Sequence, residues 1–305
     1  MGGEGETVGT RYEDPPADPA GRPALVLVAT PIGNLGDLSS RALAALRDAD
    51  VVLCEDSRVT GGLLARQSIA ATMIPLHDHN EAAQAPRLVE RMKSGERFAL
   101  VSDAGTPLVS DPGYRLVRAA IEAGVTISAV PGPNAAVMAL SLSGLPPHPF
   151  LFLGFLPARG GPRSAELARL RGVERAGLSA TLIFYEAPHR LAETLAAMAE
   201  ALGAERPAAV ARELTKRFEE VRRGTLGDLA AHYAVAEARG EICIVIGPAA
   251  AEEAAGAEEL DTRLRAAMAS GMSLRDAAAS VAEATGLKRR DVYRWALELG
   301  DASSR

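Results

Sequence analysis

Cysteine, lysine and long apolar runs are what this sequence has least of, and each scarcity excludes something. The two cysteines, Cys54 and Cys243, each lie inside an apolar strand-like run, which reads as buried thiols and not as a disulfide or a cysteine metal pair. No apolar run reaches the roughly 18 to 20 residues needed to cross a bilayer. The first residues, M-G-G-E-G-E-T-V-G-T-R-Y-E-D-P-P-A-D-P, lack the basic segment followed by an apolar core that marks a secretory signal. The expected location is the cytoplasm, with no membrane contact. Only three of the 33 basic residues are lysine, a bias of coding toward alanine and arginine more than a sign of function. Missing too are the nucleotide-binding spacings: no G-x-x-x-x-G-K-[ST] occurs, and Gly33 to Gly36 does not make G-x-G-x-x-G.

What is present begins with two apolar runs that end abruptly in glycine, proline and carboxylate. One is L-V-S-D-A-G-T-P-L-V-S-D-P-G, Leu100 to Gly113; the other is L-V-L-V-A-T-P-I-G-N-L-G-D-L, Leu25 to Leu38. In open α/β proteins such loops lie at the carboxyl edge of a sheet, where ligands bind. The carboxylates and prolines of the second loop suit a ligand with cationic and hydrogen-bonding groups better than a polyphosphate. S-adenosylmethionine, with its sulfonium, ammonium and ribose, is of that kind.

Around these loops, strand-like and helix-like runs alternate from Ala24 to about Pro133, which predicts a mainly parallel sheet. Strand candidates then recur at Phe150 to Phe155, Ala180 to Tyr185, Ala208 to Arg212, Glu219 to Thr225 and Glu241 to Ile246. The short separation of the third and fourth predicts a hairpin, hence a mixed sheet and a separate domain. The expected organisation is a disordered acidic tail over 1–22, α/β domains over 23–133 and 134–248, a linker over 249–259 and a helical extension over 260–305. In that extension Ser273 is a candidate N-cap and Gly286 a break, which is helix-turn-helix spacing. Ala277, Val281, Leu287, Val292 and Trp295 are its expected core. Lys288, Arg289 and Arg290 open the last helix, and both packing on a neighbour and contact with nucleic acid stay open for it.

A net charge of −6 gives no global attraction to nucleic acid, but arginines cluster at 159–175 and basic residues again at 206–223. Phosphate patches and solvated faces both fit these clusters. His77-Asp78-His79 has no third ligand at a sensible spacing, so it reads as a loop before a helix start at Asn80, and no metal site is expected. Glu55, Asp56 and Arg58 follow a strand, where helix capping or an ion pair explains them about as well as a supporting role at a site.

Seven segments, taken together and in order, carry a resemblance: A-T-P-I-G-N-L-G-D-L (29–38), C-E-D-S-R (54–58), S-D-A-G-T-P-L-V-S-D-P-G (102–113), P-G-P-N-A (131–135), F-L-G-F-L-P (152–157), Y-E-A-P-H-R (185–190) and R-E-L-T-K (212–216). The chain resembles the small-subunit ribosomal RNA cytidine 2'-O-methyltransferases of the tetrapyrrole methylase superfamily, from about Ala24 to Pro248 and in the helical tail. The resemblance implies two α/β domains of class III methyltransferase type with an S-adenosylmethionine cleft between them, a homodimer, and 16S ribosomal RNA in the small subunit as partner.

Carried over by motif, the implied cofactor contacts are Pro31, Asp103, Gly105, Thr106, Pro107, Asn134, Ala135, Glu186 and Ala211. For Gly105, Pro107 and Pro131, turn geometry alone is the competing explanation. Methylating a ribose hydroxyl needs in-line positioning, a route for the proton, and a cation for the flanking phosphate or nascent alkoxide. Glu186 and Lys216 are the candidate catalytic pair, and Arg190, Arg212, Lys216, Arg289 and Arg290 the candidate RNA contacts. Two other functions fit parts of this pattern: methylation of a tetrapyrrole precursor, and non-catalytic nucleic-acid binding through the tail.

Overall fold

The computed structural model describes residues 22–175, 178–249 and 257–302. The expectations for the acidic tail up to residue 21 and for residues 250–256 of the linker lie outside the described residues. The chain divides into two compact units, Met1–Pro133 and Asn134–Arg305.

The first unit is built on five parallel strands, β1 (Leu25–Val28), β2 (Val51–Cys54), β3 (Thr72–Pro75), β4 (Phe98–Val101) and β5 (Ile127–Val130), in the order β3-β2-β4-β1-β5. β2 and β4 are buried at all four positions, as parallel strands covered on both faces must be. β3 lies at the edge, where Pro75 deprives no inner ladder of a donor. The helices are α1 (Ser40–Asp48), α2 (Ser57–Arg66), α3 (Glu81–Lys93) and α4 (Tyr114–Glu122). Leu46 of α1 and Leu64 of α2 pack with Val28, Val52 and Val101 on one face. Leu88 and Met92 of α3 and Leu116 of α4 pack with Leu53, Phe98 and Leu100 on the other. Neighbouring strands β1 and β4 therefore send their chains to opposite faces, which makes a topological switch point at their carboxyl ends.

The second unit holds a mixed sheet of β6 (Phe150–Phe155), β7 (Thr181–Glu186), β8 (Pro207–Arg212), β9 (Glu220–Thr225) and β10 (Ile242–Ile246), in the order β6-β7-β10-β8-β9. β6 and β7 are parallel, the other pairs antiparallel, and β8 and β9 form the expected hairpin. With them run α5 (Ala135–Ser143), α6 (Gly160–Arg175), α7 (Leu191–Leu202) and α8 (Leu226–Val235). Thr225 caps α8 in a reciprocal capping box with Asp228. The two α/β sheets and the helical extension have the fold class the sequence predicts.

Three helices complete this unit: α9 (Ala257–Ala269), α10 (Leu274–Thr285) and α11 (Arg289–Ala302). α9 starts inside the stretch expected to be linker. Ser273 caps α10, and Gly286 ends it in the left-handed conformation, as their residue types suggest. The expected core needs one correction. Trp295 is 37% exposed, and the buried stripe of α11 is Val292, Ala296 and Leu299, spaced four and three residues apart as a helix face requires.

Candidate functional site

At the β1/β4 switch point the loops are tied into one piece. Thr30 and Gly105 exchange backbone hydrogen bonds of 2.9 and 3.1 Å. The Thr30 hydroxyl donates to the Ser102 carbonyl, and the Ser102 hydroxyl donates to the Gly105 carbonyl. Thr106 Oγ1 donates to Pro133 O at 2.9 Å, which fastens the loop after β5 to the same cluster. Close approach explains two glycines here. Gly105 sits at φ +88°, and a Cβ on Gly132 would come within 2.8 Å of the Ala29 methyl. Pro31, Asp103, Gly105, Thr106 and Pro107 are thus brought together at one sheet edge. Gly105 and Pro107 are buried within it, whereas Asp103 and Thr106 stay partly open.

Asp103 accepts the Asp56 N–H at 3.1 Å and, with Glu55, Asp56, Ser57, Arg58, Pro75 and His77, lines a concavity of about 420 Å³. Asp56 caps α2 and pairs with Arg58, so both of the roles weighed for it are filled. The Asp111 carboxyl interacts with that of Glu55, one of the residues lining the concavity. Burial, then the charges of Glu55 and Asp103, push Asp111 up to about 7. Burial also raises Glu55, with Asp103 adding to it and His77 opposing. Asp111 accordingly holds its proton to higher pH than an ordinary aspartate, beside Glu55.

The same loop shows why α4 begins where it does. A Cβ on Gly113 (φ +127°) would lie 2.7 Å from Leu100 Cδ2, so no capping side chain fits there. Buried Glu81 of α3 supplies the acceptor instead, receiving the Leu116 N–H at 2.8 Å.

In the second unit, the carboxyl ends of β6, β7 and β8 share an edge with the starts of β9 and β10, because Ile242 pairs with both Glu186 and Arg212, and Arg212 with Glu220. Glu186 is buried. Its Oε1 accepts the Ala187 N–H at 2.7 Å, its Oε2 accepts the Thr194 hydroxyl at 2.6 Å, and Arg190 Nε lies 3.2 Å away. Arg190 itself donates to the carbonyls of Leu156 and Pro157. Arg212 is held by Glu220 at 2.6 Å.

Lys216 Nζ donates to Glu213 at 2.8 Å and Glu241 at 3.2 Å. Burial, the largest single influence, pulls the Lys216 ammonium down, but the two carboxylates outweigh it and the net shift is upward. Ala211 is buried in β8, paired on both sides. Asn134 caps α5 through the Val137 N–H, and Ala135 is the first residue of that helix. Arg289 and Arg290 are exposed at the start of α11.

Sequence reasoning missed three things here. It does not pair Glu55 with Asp111 or identify the carboxylate partners of Arg212 and Lys216, and it places Arg217 only within the basic cluster at 206–223, without Phe218 beside it. Phe218 is 64% exposed and Arg217 stands over its ring. An aromatic directly after R-E-L-T-K-R was the available signal for that pair.

No group of three or more His, Cys, Asp or Glu suited to a metal ion occurs among the described residues. No helix among them is long and apolar enough to cross a membrane.

Two α/β units with strand-end loops tied in this way are the architecture of the tetrapyrrole methylases. The family model described as Tetrapyrrole (Corrin/Porphyrin) Methylases matches residues 24–230, and that described as RsmI C-terminal HTH domain matches residues 254–300. The fold is similar to that of a uroporphyrin-III-C-methyltransferase from Thermus thermophilus (25% identity, TM-score 0.50, covering 74% of this chain and 94% of that one). It is also similar to a diphthine synthase (16% identity, TM-score 0.57, 73% and 90%).

Curated relatives named Ribosomal RNA small subunit methyltransferase I share 51% identity in Mesorhizobium japonicum, over 94% of this chain and 96% of the relative. The one from Vibrio cholerae shares 45%, over 92% and 96%. The chain belongs to the ribosomal RNA small subunit methyltransferase I family, the membership that its seven segments suggest.

Proposed function

We propose that this protein transfers the methyl group of S-adenosylmethionine to the 2'-oxygen of a cytidine in 16S ribosomal RNA, working in the cytoplasm as a homodimer. The observation that carries the reading is the match to the family along nearly the whole chain, tail included. The first unit adds chemical support. Its concavity is lined by Glu55 and Asp103, beside the paired Asp56 and Arg58 and His77, and the two carboxylates without a salt bridge to Arg or Lys among the described residues suit a cationic ligand. The cofactor supplies an electrophilic methyl on sulfonium. The reaction yields S-adenosylhomocysteine, the methylated ribose and one proton.

The hydrogen bonds around the candidate pair divide its labour. Both oxygens of Glu186 are occupied by Ala187 and Thr194, with Arg190 alongside. We read Glu186 as positioning Arg190 and the start of α7, a role that these three contacts support. Lys216, kept charged by Glu213 and Glu241, is suited to a developing alkoxide and not to proton abstraction.

Labelled S-adenosylmethionine supplied with 30S particles, naked 16S RNA or a tetrapyrrole precursor tests the reading. Label in a cytidine ribose is expected, and label in the porphyrinoid alone refutes it. Glu186→Gln is expected to keep kcat within about tenfold with an unaltered pH profile, whereas loss of a general base costs about 10²- to 10⁴-fold. Lys216→Met is expected to lose most of the turnover while keeping cofactor affinity, and Lys216→Arg to restore part of it.

A further inference from the structure

The turn between β8 and β9, residues 213–219, is fixed far more firmly than its exposure requires. Glu213 and Thr215, neither of them glycine, stand at φ +51° and +66°, a conformation that persists only where its surroundings enforce it. Here they do. The Glu213 N–H donates to Glu241 O, Lys216 N–H to Glu213 O and Glu219 N–H to Lys216 O, all at 3.0 to 3.1 Å. Thr215 N–H donates to the Glu219 carboxylate at 2.7 Å. Gly240, at φ +83°, leaves the space that the Glu213 carboxylate fills, since a Cβ there would lie 2.1 Å from Glu213 Oε1. Leu214 is buried beneath the turn.

What this rigid turn presents is Phe218. Single exposed apolar side chains are ordinary on protein surfaces, but this ring is carried by a pinned turn. The Arg217 guanidinium carbon lies 5.5 Å from its centroid. Arg217 has no carboxylate partner among the described residues, unlike Arg212, Lys216 and Arg222, which are all paired with acids on this edge. An aromatic ring beside an uncommitted arginine is the combination that receives unpaired bases, the ring by stacking and the cation through phosphate or the base face.

We propose that Phe218 and Arg217 form a stacking platform for an unpaired base of the RNA substrate, which sets the register of the strand relative to Lys216. The proposal rests on the reading of the protein as an RNA methyltransferase.

The test compares Phe218→Leu, Phe218→Tyr and Arg217→Gln in the full chain. KM and kcat are measured on 30S particles, affinity is measured for a single-stranded RNA oligonucleotide and for S-adenosylmethionine, and self-association is followed by sedimentation. Leucine keeps apolar bulk without a π face and tyrosine keeps the face. The expected result is a KM for RNA raised about tenfold or more in Phe218→Leu, near-normal KM in Phe218→Tyr, and unchanged cofactor affinity throughout. Arg217→Gln is expected to lower the slope of log affinity against log salt by about one.

Wild-type methylation of RNA with an unaltered KM in Phe218→Leu overturns the platform and leaves the assigned reaction standing. Phe218-dependent binding of the oligonucleotide with no methyl transfer by the wild type overturns the assigned reaction and leaves the platform. A change of association state in Phe218→Leu with RNA affinity unaltered makes the ring a protein contact and overturns the platform.

Discussion

Asp111→Asn is expected to stabilise the first unit above neutral pH and to do nothing below pH 4. Asp111 rises from an ordinary 3.8 to about 7 because burial, Glu55 and Asp103 all disfavour its ionised form. Between these two values the folded protein keeps a proton that the unfolded chain has released, so stability falls as pH rises. The favourable contribution is complete below about 4 and gone above about 7. A shift of roughly three units corresponds to at most about 4 kcal/mol. Asp111 is only partly buried, and discounting for solvent screening leaves about 1–2 kcal/mol. Asparagine cannot ionise, and its amide can donate toward Glu55.

The variant and the wild type should therefore unfold alike at pH 4. At pH 8 they should differ by about 0.5–1 M in urea midpoint, for an m-value near 2 kcal/mol/M. Tryptophan fluorescence would miss the event, because the one tryptophan, Trp295, is in the second unit. Hydrogen exchange of the amides from Ser102 to Glu122 reads it directly. A difference that stays the same from pH 4 to 8, or an asparagine variant less stable at pH 8, refutes the retained proton on Asp111.

Two further substitutions probe the second unit. Gly240→Ala forces its new methyl onto the Glu213 carboxylate at a left-handed backbone position, so Glu213 must release Lys216. The expected outcome is a loss of turnover at unchanged cofactor affinity, with melting of the unit lowered by no more than a few degrees. Glu174→Gln breaks the buried pair in which Arg206 donates to both Glu174 oxygens, at 2.8 and 2.5 Å. Leaving that guanidinium without its charge partner is expected to cost about 3–5 kcal/mol, whereas Glu122→Gln, which loses a fully surface pair with Arg118, should change the denaturation midpoint hardly at all.

The contrast between these sites follows from what a sequence encodes locally. Apolar runs such as V-V-L-C and F-A-L-V state that both faces of a strand will be buried, and the abrupt change to S-D-A-G-T-P states where the chain leaves the sheet. The loop residues at the switch point were therefore legible from Leu100 to Gly113 alone. Strand neighbours are not encoded that way. Glu55 meets Asp111 only because β2 lies beside β4, and that adjacency depends on how the crossovers pack on each face.

Helical phase misleads for a similar reason. Val292 and Trp295 are three apart and apolar, yet the face that is buried continues through Ala296 and Leu299, because small residues let α10 and α11 approach. Charge is not read from the count of cations. Arg190, Arg212 and Lys216 read as candidates to hold phosphate, but each already meets a carboxylate: Arg190 that of Glu186 four residues before it, Lys216 those of Glu213 three residues before it and of Glu241 just before β10, and Arg212 that of Glu220 across the β8–β9 ladder. Arginine count along this edge thus overstates the positive charge available to RNA. A cation attracts a phosphate to the extent that the fold has not already neutralised it. On the turn between β8 and β9 that condition singles out Arg217, the cation there that the register leaves without an acid, and it predicts that the salt dependence of RNA binding responds more to Arg217→Gln than to Arg212→Gln.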